Sequence, residues 1–409
     1  MNLFELAAVL LTLAALFSYL NERYVKLPAT IGLMLIALLM SLGLVALGKF
    51  GFGFENQARS LLAEIDFSVT LLHGMLGFLL FAGALHVDLD DLVEQKWIIG
   101  SLATAGVLLS TLMVSGLIWI VLKGLELELP YIYCLLFGAL ISPTDPIAVI
   151  GILKNARAPK SLETKITGES LFNDGVGVVM FIVLLDLASG EHHVDATGVA
   201  LLFAKETLGG LLLGLAVGFL AFQMLKSVDS YPVEILITLA LTMGGYVLAE
   251  VLHLSAPIAI VVAGLLIGNH GRSLAMSERT CDHLDTFWEL IDEILNAVLF
   301  VLIGLEVLIL QFTTGYLLAG MLAVPIVLAA RLVSVGIPVS LLRLRREFSP
   351  KIIRILTWGG LRGGISVALA LSLPTGIERD VILAITYIVV IFSITVQGLT
   401  IGRLFPKGS

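Results

Sequence analysis

Thirteen apolar stretches, most of them near the length a bilayer demands, constrain this chain more than any other feature. They lie at 3–22, 29–47, 64–86, 97–122, 130–151, 163–187, 197–226, 232–252, 256–269, 283–310, 315–342, 350–373 and 380–404. About 20 apolar residues in a helix match the hydrocarbon thickness, and within lipid only helices and closed barrels satisfy their own backbone polar groups. Runs this long predict helices, so the chain reads as an all-α polytopic membrane protein of about 13 transmembrane helices. With 58% hydrophobic and only 14% charged residues, a soluble protein of two or three domains is excluded. The ninth run is short, and the third and ninth are read as tilted, bent or re-entrant. The first carries Glu5, no basic leader and no small-residue cleavage pattern, so it reads as a retained span rather than a signal peptide. Cys134 and Cys281 have neither disulfide nor metal-ligand spacing and read as packing residues.

Lys and Arg test the topology independently. Of the 24, sixteen fall in odd connections and at the C-terminal end and four in even connections, with Lys205, Arg331, Arg354 and Arg362 inside spans. The positive-inside rule therefore predicts a cytoplasmic C-terminus and an external N-terminus, as an odd number of spans requires.

Two spans contain helix breakers. The fifth holds Ile141-Ser142-Pro143-Thr144-Asp145-Pro146; two prolines three residues apart remove donors and clash with the preceding turn. Unwinding is predicted from Ser142 to Asp145, with Pro146 opening a second half-helix and Asp145 as its N-cap. The twelfth holds Gly359-Gly360-Leu361-Arg362-Gly363-Gly364, where four glycines weaken helix around one arginine. The breaks are seven spans apart, and an odd offset means opposite crossing directions. Spans 1–6 and 8–13 are read as inverted repeats joined by span 7, and paired broken helices point to a binding site near the midplane. The sixth span adds Gly168-Glu169-Ser170-Leu171-Phe172-Asn173-Asp174-Gly175-Val176-Gly177. Residues 169, 170, 173, 174 and 177 fall on one helical stripe. An ionisable group at membrane depth costs about 2.5–3.5 kcal/mol on insertion scales and marks a functional site by default.

These segments, with Leu299-Phe300-Val301-Leu302-Ile303-Gly304-Leu305-Glu306 and Gly359 to Ser366, resemble the monovalent cation/proton antiporters, specifically the NhaP-type sodium/proton exchangers. The resemblance implies an NhaA-like antiporter fold with two unwound crossing helices. It implies a dimerisation domain of spans 1–3 and 7–10 (about 1–96 and 197–310) and an ion-translocating core of spans 4–6 and 11–13 (about 97–196 and 315–404). Residue by residue, Asp174 matches the essential cation and proton carboxylate, Asn173 its amide neighbour, Glu169 and Ser170 the adjoining polar positions, and Thr144 and Asp145 the crossing segment. Arg362 matches the core arginine, expected near Glu169 and Asn173, and Arg331 resembles a second family arginine. An asparagine before the aspartate resembles the electroneutral branch. A homodimer in the inner membrane of a prokaryote is implied, with monovalent cations, protons and lipid as partners, no nucleic acid and no cofactor.

Sodium is a hard cation that takes oxygen ligands, which Asp174, Glu169, Ser170 and Thr144 would supply; lithium or potassium is not separated from sodium by ligand type alone. Asp145 and Arg362 are assigned electrostatic support, offsetting the positive and negative ends of half-helices. Glu169 reads equally as an ion-pair partner of Arg362, and Arg331 as a packing ion pair. Asp292, Glu293, Glu306, Glu234, Glu250, Lys205 and Glu206 read as interfacial, cavity-lining or dimer-contact residues. Histidines 73, 86, 192, 193, 253, 270 and 283 read as solvated or, for His73, core residues rather than pH sensors. An intramembrane aspartyl enzyme pairing Asp145 with Asp174 lacks the Tyr-Asp and Gly-x-Gly-Asp signatures. A channel would need a continuous polar path.

Overall fold

The computed structural model describes residues 3–49, 74–146, 149–150, 160–189, 196–308, 310, 313–344, 348–349 and 351–404. His73, His192, His193, the first part of the third span and most of the chain after Pro146 in the fifth lie outside the described residues. The described residues are predominantly helical, and the one sheet-like contact among them is an isolated antiparallel bridge between Asp145 and Leu361.

In chain order the principal helices are α1 (Leu3–Leu20), α2 (Ala29–Lys49), α3 (Leu76–Leu85), α4 (Lys96–Gly124), α5 (Tyr131–Ile141), α6 (Lys160–Ser189) and α7 (Ala196–Lys226). They continue with α8 (Tyr231–Val251), α9 (Ala256–Leu274), α10 (Glu278–Glu306), α11 (Thr314–Leu342), α12 (Ile352–Gly359), α13 (Gly364–Leu371) and α14 (Ile377–Leu404). Eight of the described helices are long and apolar enough to cross a membrane. Helix α5 and the pair α12 and α13 are individually too short to do so, because each belongs to a span that the chain interrupts.

Local chemistry sets where several helices begin. Ser255, Ser277 and Thr313 accept hydrogen bonds from Ile258, Thr280 and Tyr316 backbone N–H groups at the starts of α9, α10 and α11, each satisfying one otherwise unpaired donor. Glu234, buried in the first turn of α8, accepts from the Ser230 N–H at 3.1 Å, so this acid caps its own helix.

Two packing styles occur among the described helices. Helices α3, α7, α8, α9 and α10 bury one apolar cluster in which Phe81 and Trp288 approach to 4.6 Å between ring centroids and Trp288 Nε1 donates to Thr238 Oγ1 at 3.1 Å. Along α7, Gly210, Gly214 and Gly218 recur every fourth residue against Ser255, Ala259 and Ala263 of α9; a Cβ at Gly214 would lie 2.4 Å from the Ala259 carbonyl oxygen. Small residues at this spacing let membrane helices touch backbone to backbone. The second group, α4, α5, α6, α11, α12, α13 and α14, also packs tightly but gathers most of the buried polar residues. Helix α6 packs on both groups, against α5 on one side and α7 and α9 on the other.

Both interruptions meet at the centre of the second group. Helix α5 ends at Ile141, residues 142–146 leave the helical path, and the Val149 and Ile150 N–H groups both donate to the Pro146 carbonyl, which starts a new helical turn. Helix α12 ends at Gly359 and α13 starts at Gly364. Between these ends the Asp145 N–H donates to the Leu361 carbonyl at 2.8 Å, so the two irregular strands of backbone satisfy one another where no water-exposed partner is at hand.

Candidate ion-binding site

The polar stripe of α6 faces this meeting point. Glu169 and Ser170 are 1% exposed, Asn173 is fully buried and Asp174 is 7% exposed. Glycines on the same helix let neighbours close in: a Cβ at Gly177 would lie 2.2 Å from Pro143 Cγ, and one at Gly168 2.7 Å from Ile99 Cδ1. Pro143 is thereby seated directly on α6, which brings Thr144 onto the stripe.

Thr144 is held by two α6 residues. Asn173 accepts from the Thr144 N–H at 3.2 Å through Oδ1 and donates from Nδ2 to Thr144 Oγ1 at 2.9 Å. Ser170 Oγ donates to the Thr144 carbonyl and lies 3.1 Å from Thr144 Oγ1. These bonds replace the helical ones that the prolines removed. One turn earlier, Ser142 Oγ donates to the Gly138 carbonyl at 2.7 Å and is joined by Ser110 and Thr111 of α4.

The arginines divide differently from the expectation. Arg331 of α11 binds Glu169, with Nη1 to Oε1 at 2.5 Å, and donates from Nη2 to the Leu356 carbonyl at 3.2 Å. Arg362 instead donates from Nη1 to the carbonyls of Ser142 and Pro143, at 2.5 and 2.6 Å. Pairing of Glu169 with Arg362 is therefore corrected: the partner is Arg331, because Arg362 is drawn to the carbonyl end of α5, where helix carbonyls lack intrahelical donors and carry partial negative charge. Both guanidiniums line a small cavity with Gly360, Phe392 and Gln397, and Arg331 Nε and Arg362 Nη2 have no hydrogen-bond partner among the described residues. The Arg362 N–H is held by Ser393 Oγ at 2.8 Å.

Asp145 reaches the other interruption as well. Its Oδ2 lies against Gly363, where a Cβ would approach to 1.9 Å. Its carboxylate abuts the residue before α13, the N-terminus contributed by the other interrupted span. Each interruption thus lends a charge to the other's helix end, Arg362 to the C-terminus of α5 and Asp145 to the N-terminus of α13.

The family model described as sodium/hydrogen exchanger, transmembrane, matches residues 9–407. The chain belongs to the sodium/hydrogen exchanger family. It is similar to the Na(+)/H(+) antiporter NhaP of Pseudomonas aeruginosa, 51% identical over 98% of this chain and 96% of that one, and to the Na(+)/H(+) antiporter NhaH of Halobacillus aidingensis, 35% identical over 98% and 96%. Its fold is similar to that of the sodium proton antiporter MjNhaP1 from Methanocaldococcus jannaschii, with a TM-score of 0.76 at 20% identity, covering 98% of this chain and 97% of that chain. The family is one of exchangers, not enzymes.

In this exchanger the structure gathers Thr144, Ser170 and Asn173 into one hydrogen-bonded group, pairs Glu169 separately with Arg331, and sets Glu169 and Asp174 on the same face of α6 as Ser170 and Asn173. Sequence reasoning passed over Ser110, Thr111 and Ser393. Their signal was present as hydroxyls inside apolar spans, but a lone Ser or Thr in a membrane helix usually bonds its own backbone one turn back and so attracts no notice. Among the described residues there is no cluster of His, Cys, Asp and Glu arranged to hold a metal ion; the oxygens assembled here are those a hard monovalent cation takes.

Proposed function

We propose that this exchanger carries sodium, or lithium or potassium, in exchange for protons, by letting cation and proton compete for Asp174. The observation that carries this reading is the unequal treatment of two neighbouring buried acids. Glu169 is committed to Arg331, whereas no side chain among the described residues is hydrogen-bonded to the Asp174 carboxylate, and the nearby Arg362 is engaged with Ser142 and Pro143. A buried charge needs a partner. For Asp174 a cation or a proton fills that role in turn, and the carboxylate cannot hold both.

Coordination by Asp174, Glu169, Ser170 and Thr144 follows from their oxygens. Ser170 spends its proton on Thr144, which leaves its lone pairs for a cation; Thr144 Oγ1, Glu169 and Asp174 supply acceptors, and Asn173 fixes Thr144 in place. One carboxylate exchanging one charge for one charge gives an electroneutral 1:1 cycle. Alternating access would move the core, α4–α6 and α11–α14, against a dimerisation scaffold of α1–α3 and α7–α10, with the crossing of two unwound helices travelling as one unit. The relatives' bacterial membranes support an inner-membrane location in a prokaryote, and the distribution of Lys and Arg supports an external N-terminus and cytoplasmic C-terminus.

The test is reconstitution into liposomes with an imposed sodium gradient, reading internal pH at clamped membrane potentials. Sodium-driven proton flux independent of potential is expected, and Asp174→Asn should abolish it while the protein still folds. Flux persisting in Asp174→Asn would remove the central assignment, and steep dependence on potential would overturn the 1:1 cycle.

A further inference from the structure

Helix α10 carries a polar face that the exchange site does not use. Asp292, Asn296 and Leu299 fall on one stripe of this helix, and Leu299 fixes where the stripe looks: its side chain fills the space over Gly364, where a Cβ would lie 2.4 Å from Leu299 Cδ1. Gly364 adjoins Gly363, against which Asp145 rests. Asn296, one turn before Leu299, is 96% buried, and its Oδ1 has no hydrogen-bond partner among the described residues. The Asp292 carboxylate, a further turn back, accepts a hydrogen bond from the Asn296 amide N–H and interacts electrostatically with Asp145. Asp145 in turn interacts with Asp174.

An orphan amide oxygen at this depth is costly, about 1–3 kcal/mol when nothing bonds to it, and the N–H of the same amide is already spent on Asp292. The amide oxygen and the Asp292 carboxylate are both hard oxygen donors. Asn296 and Asp292 stand about 4.5 and 10.5 Å along the helix axis from Leu299, at 1.5 Å per residue, on the side toward the start of α10, where Arg272 and Arg279 flank the connection from α9. Exposed Glu289 and Glu293 lie on the same helix near that end. Asp292 interacts electrostatically with Asp145 and Asp145 with Asp174, which links the acids of α10 to the exchange site.

We propose that Asp292 and Asn296 form a second monovalent-cation site, a waypoint on the cytoplasmic approach through which the ion passes between solvent and Asp174. It rests on the antiporter reading above. The Asp292 carboxylate and the Asn296 carbonyl replace part of the cation's hydration shell, and because they belong to α10 while Asp145 and Asp174 belong to the interrupted group, the ion is handed across the boundary between the two packing groups. The waypoint does not itself exchange a proton for the cation.

Vesicles of both orientations test this with Asp292→Asn, Asn296→Leu and Asp292→Glu. In everted vesicles, with the cytoplasmic face outward, Asp292→Asn and Asn296→Leu should raise the half-saturating sodium concentration about tenfold, as expected for losing one ligand worth about 1.4 kcal/mol, with maximal rate within about twofold. Detailed balance then requires the reverse exchange in right-side-out vesicles to slow by the same factor, with half-saturating external sodium unchanged. Asp292→Glu should restore the wild-type values. Unchanged kinetics in both orientations, or a fall in maximal rate in everted vesicles with half-saturation unchanged, would overturn the waypoint alone. A wild-type protein that moves no protons on sodium addition would overturn the waypoint and the antiporter reading together.

Discussion

The two interrupted segments solve one problem by opposite means. Residues 142–146 lose helical hydrogen bonds to proline and regain them from side chains: Asn173 and Ser170 hold Thr144, while Ser110 and Thr111 join Ser142. Residues 360–363 make few such bonds and work instead by leaving room. Arg331 occupies the place of a side chain at Gly360, and Asp145 that at Gly363, where a Cβ would lie 2.6 Å from Arg331 Nε and 1.9 Å from Asp145 Oδ2. One segment is defined by atoms that are present, the other by atoms that are missing. The lesson is that subtracting atoms should harm the first and adding atoms the second.

Arg362 belongs to the second segment but serves the first, so its removal should have the largest effect. Arg362→Ala leaves the Ser142 and Pro143 carbonyls without their donor and opens a cavity, a loss of about 4 kcal/mol. Thermal melting in detergent should show a large drop, and a variant melting within a few degrees of wild type would mean that the carbonyl contacts are dispensable. Gly363→Ala comes next, at about 3 kcal/mol of overpacking, since Asp145 is anchored through its own backbone bridge and has little freedom to retreat. Sodium-driven proton flux should fall with it; normal flux would show that the second segment tolerates added atoms.

Asn173→Ala removes both bonds to Thr144 and is expected to destabilise by about 2 kcal/mol, with impaired exchange. Ser170→Ala removes one donor and should cost about 1 kcal/mol of stability, while weakening apparent sodium affinity measurably in flux assays. If the two variants proved equal in stability, the amide would not be the principal clamp. Gly175→Ala sharpens the contrast from the other side. A Cβ there meets Ile258 Cγ1 at 2.8 Å, an atom of an α9 side chain rather than of the crossing, so its effect should be the smallest, with flux kept above half of wild type.

Much of this was legible before any coordinates. The apolar runs, the prolines at 143 and 146 and the glycines around Arg362 are local signals, and the structure interrupts helix at those places. The stripe on α6 was legible for the same reason, since helical periodicity alone puts 169, 170, 173 and 174 together. Less legible was the glycine repeat 210, 214 and 218. It is plain in the sequence, yet small residues gain meaning only when a facing backbone is known.

What the sequence by itself determined is therefore the set of spans, the two breaks and the acids that share a face. It did not determine which charge answers which. Two arginines and three acids at membrane depth admit several pairings of similar chemistry, and only the packing of α11 and of the glycine segment set Arg331 on Glu169, Arg362 on the carbonyls of α5 and Asp145 against α13. The reason is physical. Helix formation and helix breaking depend on neighbours in sequence, whereas an ion pair depends on where two distant backbones place their side chains, and that placement leaves Asp174 without a side-chain hydrogen bond among the described residues.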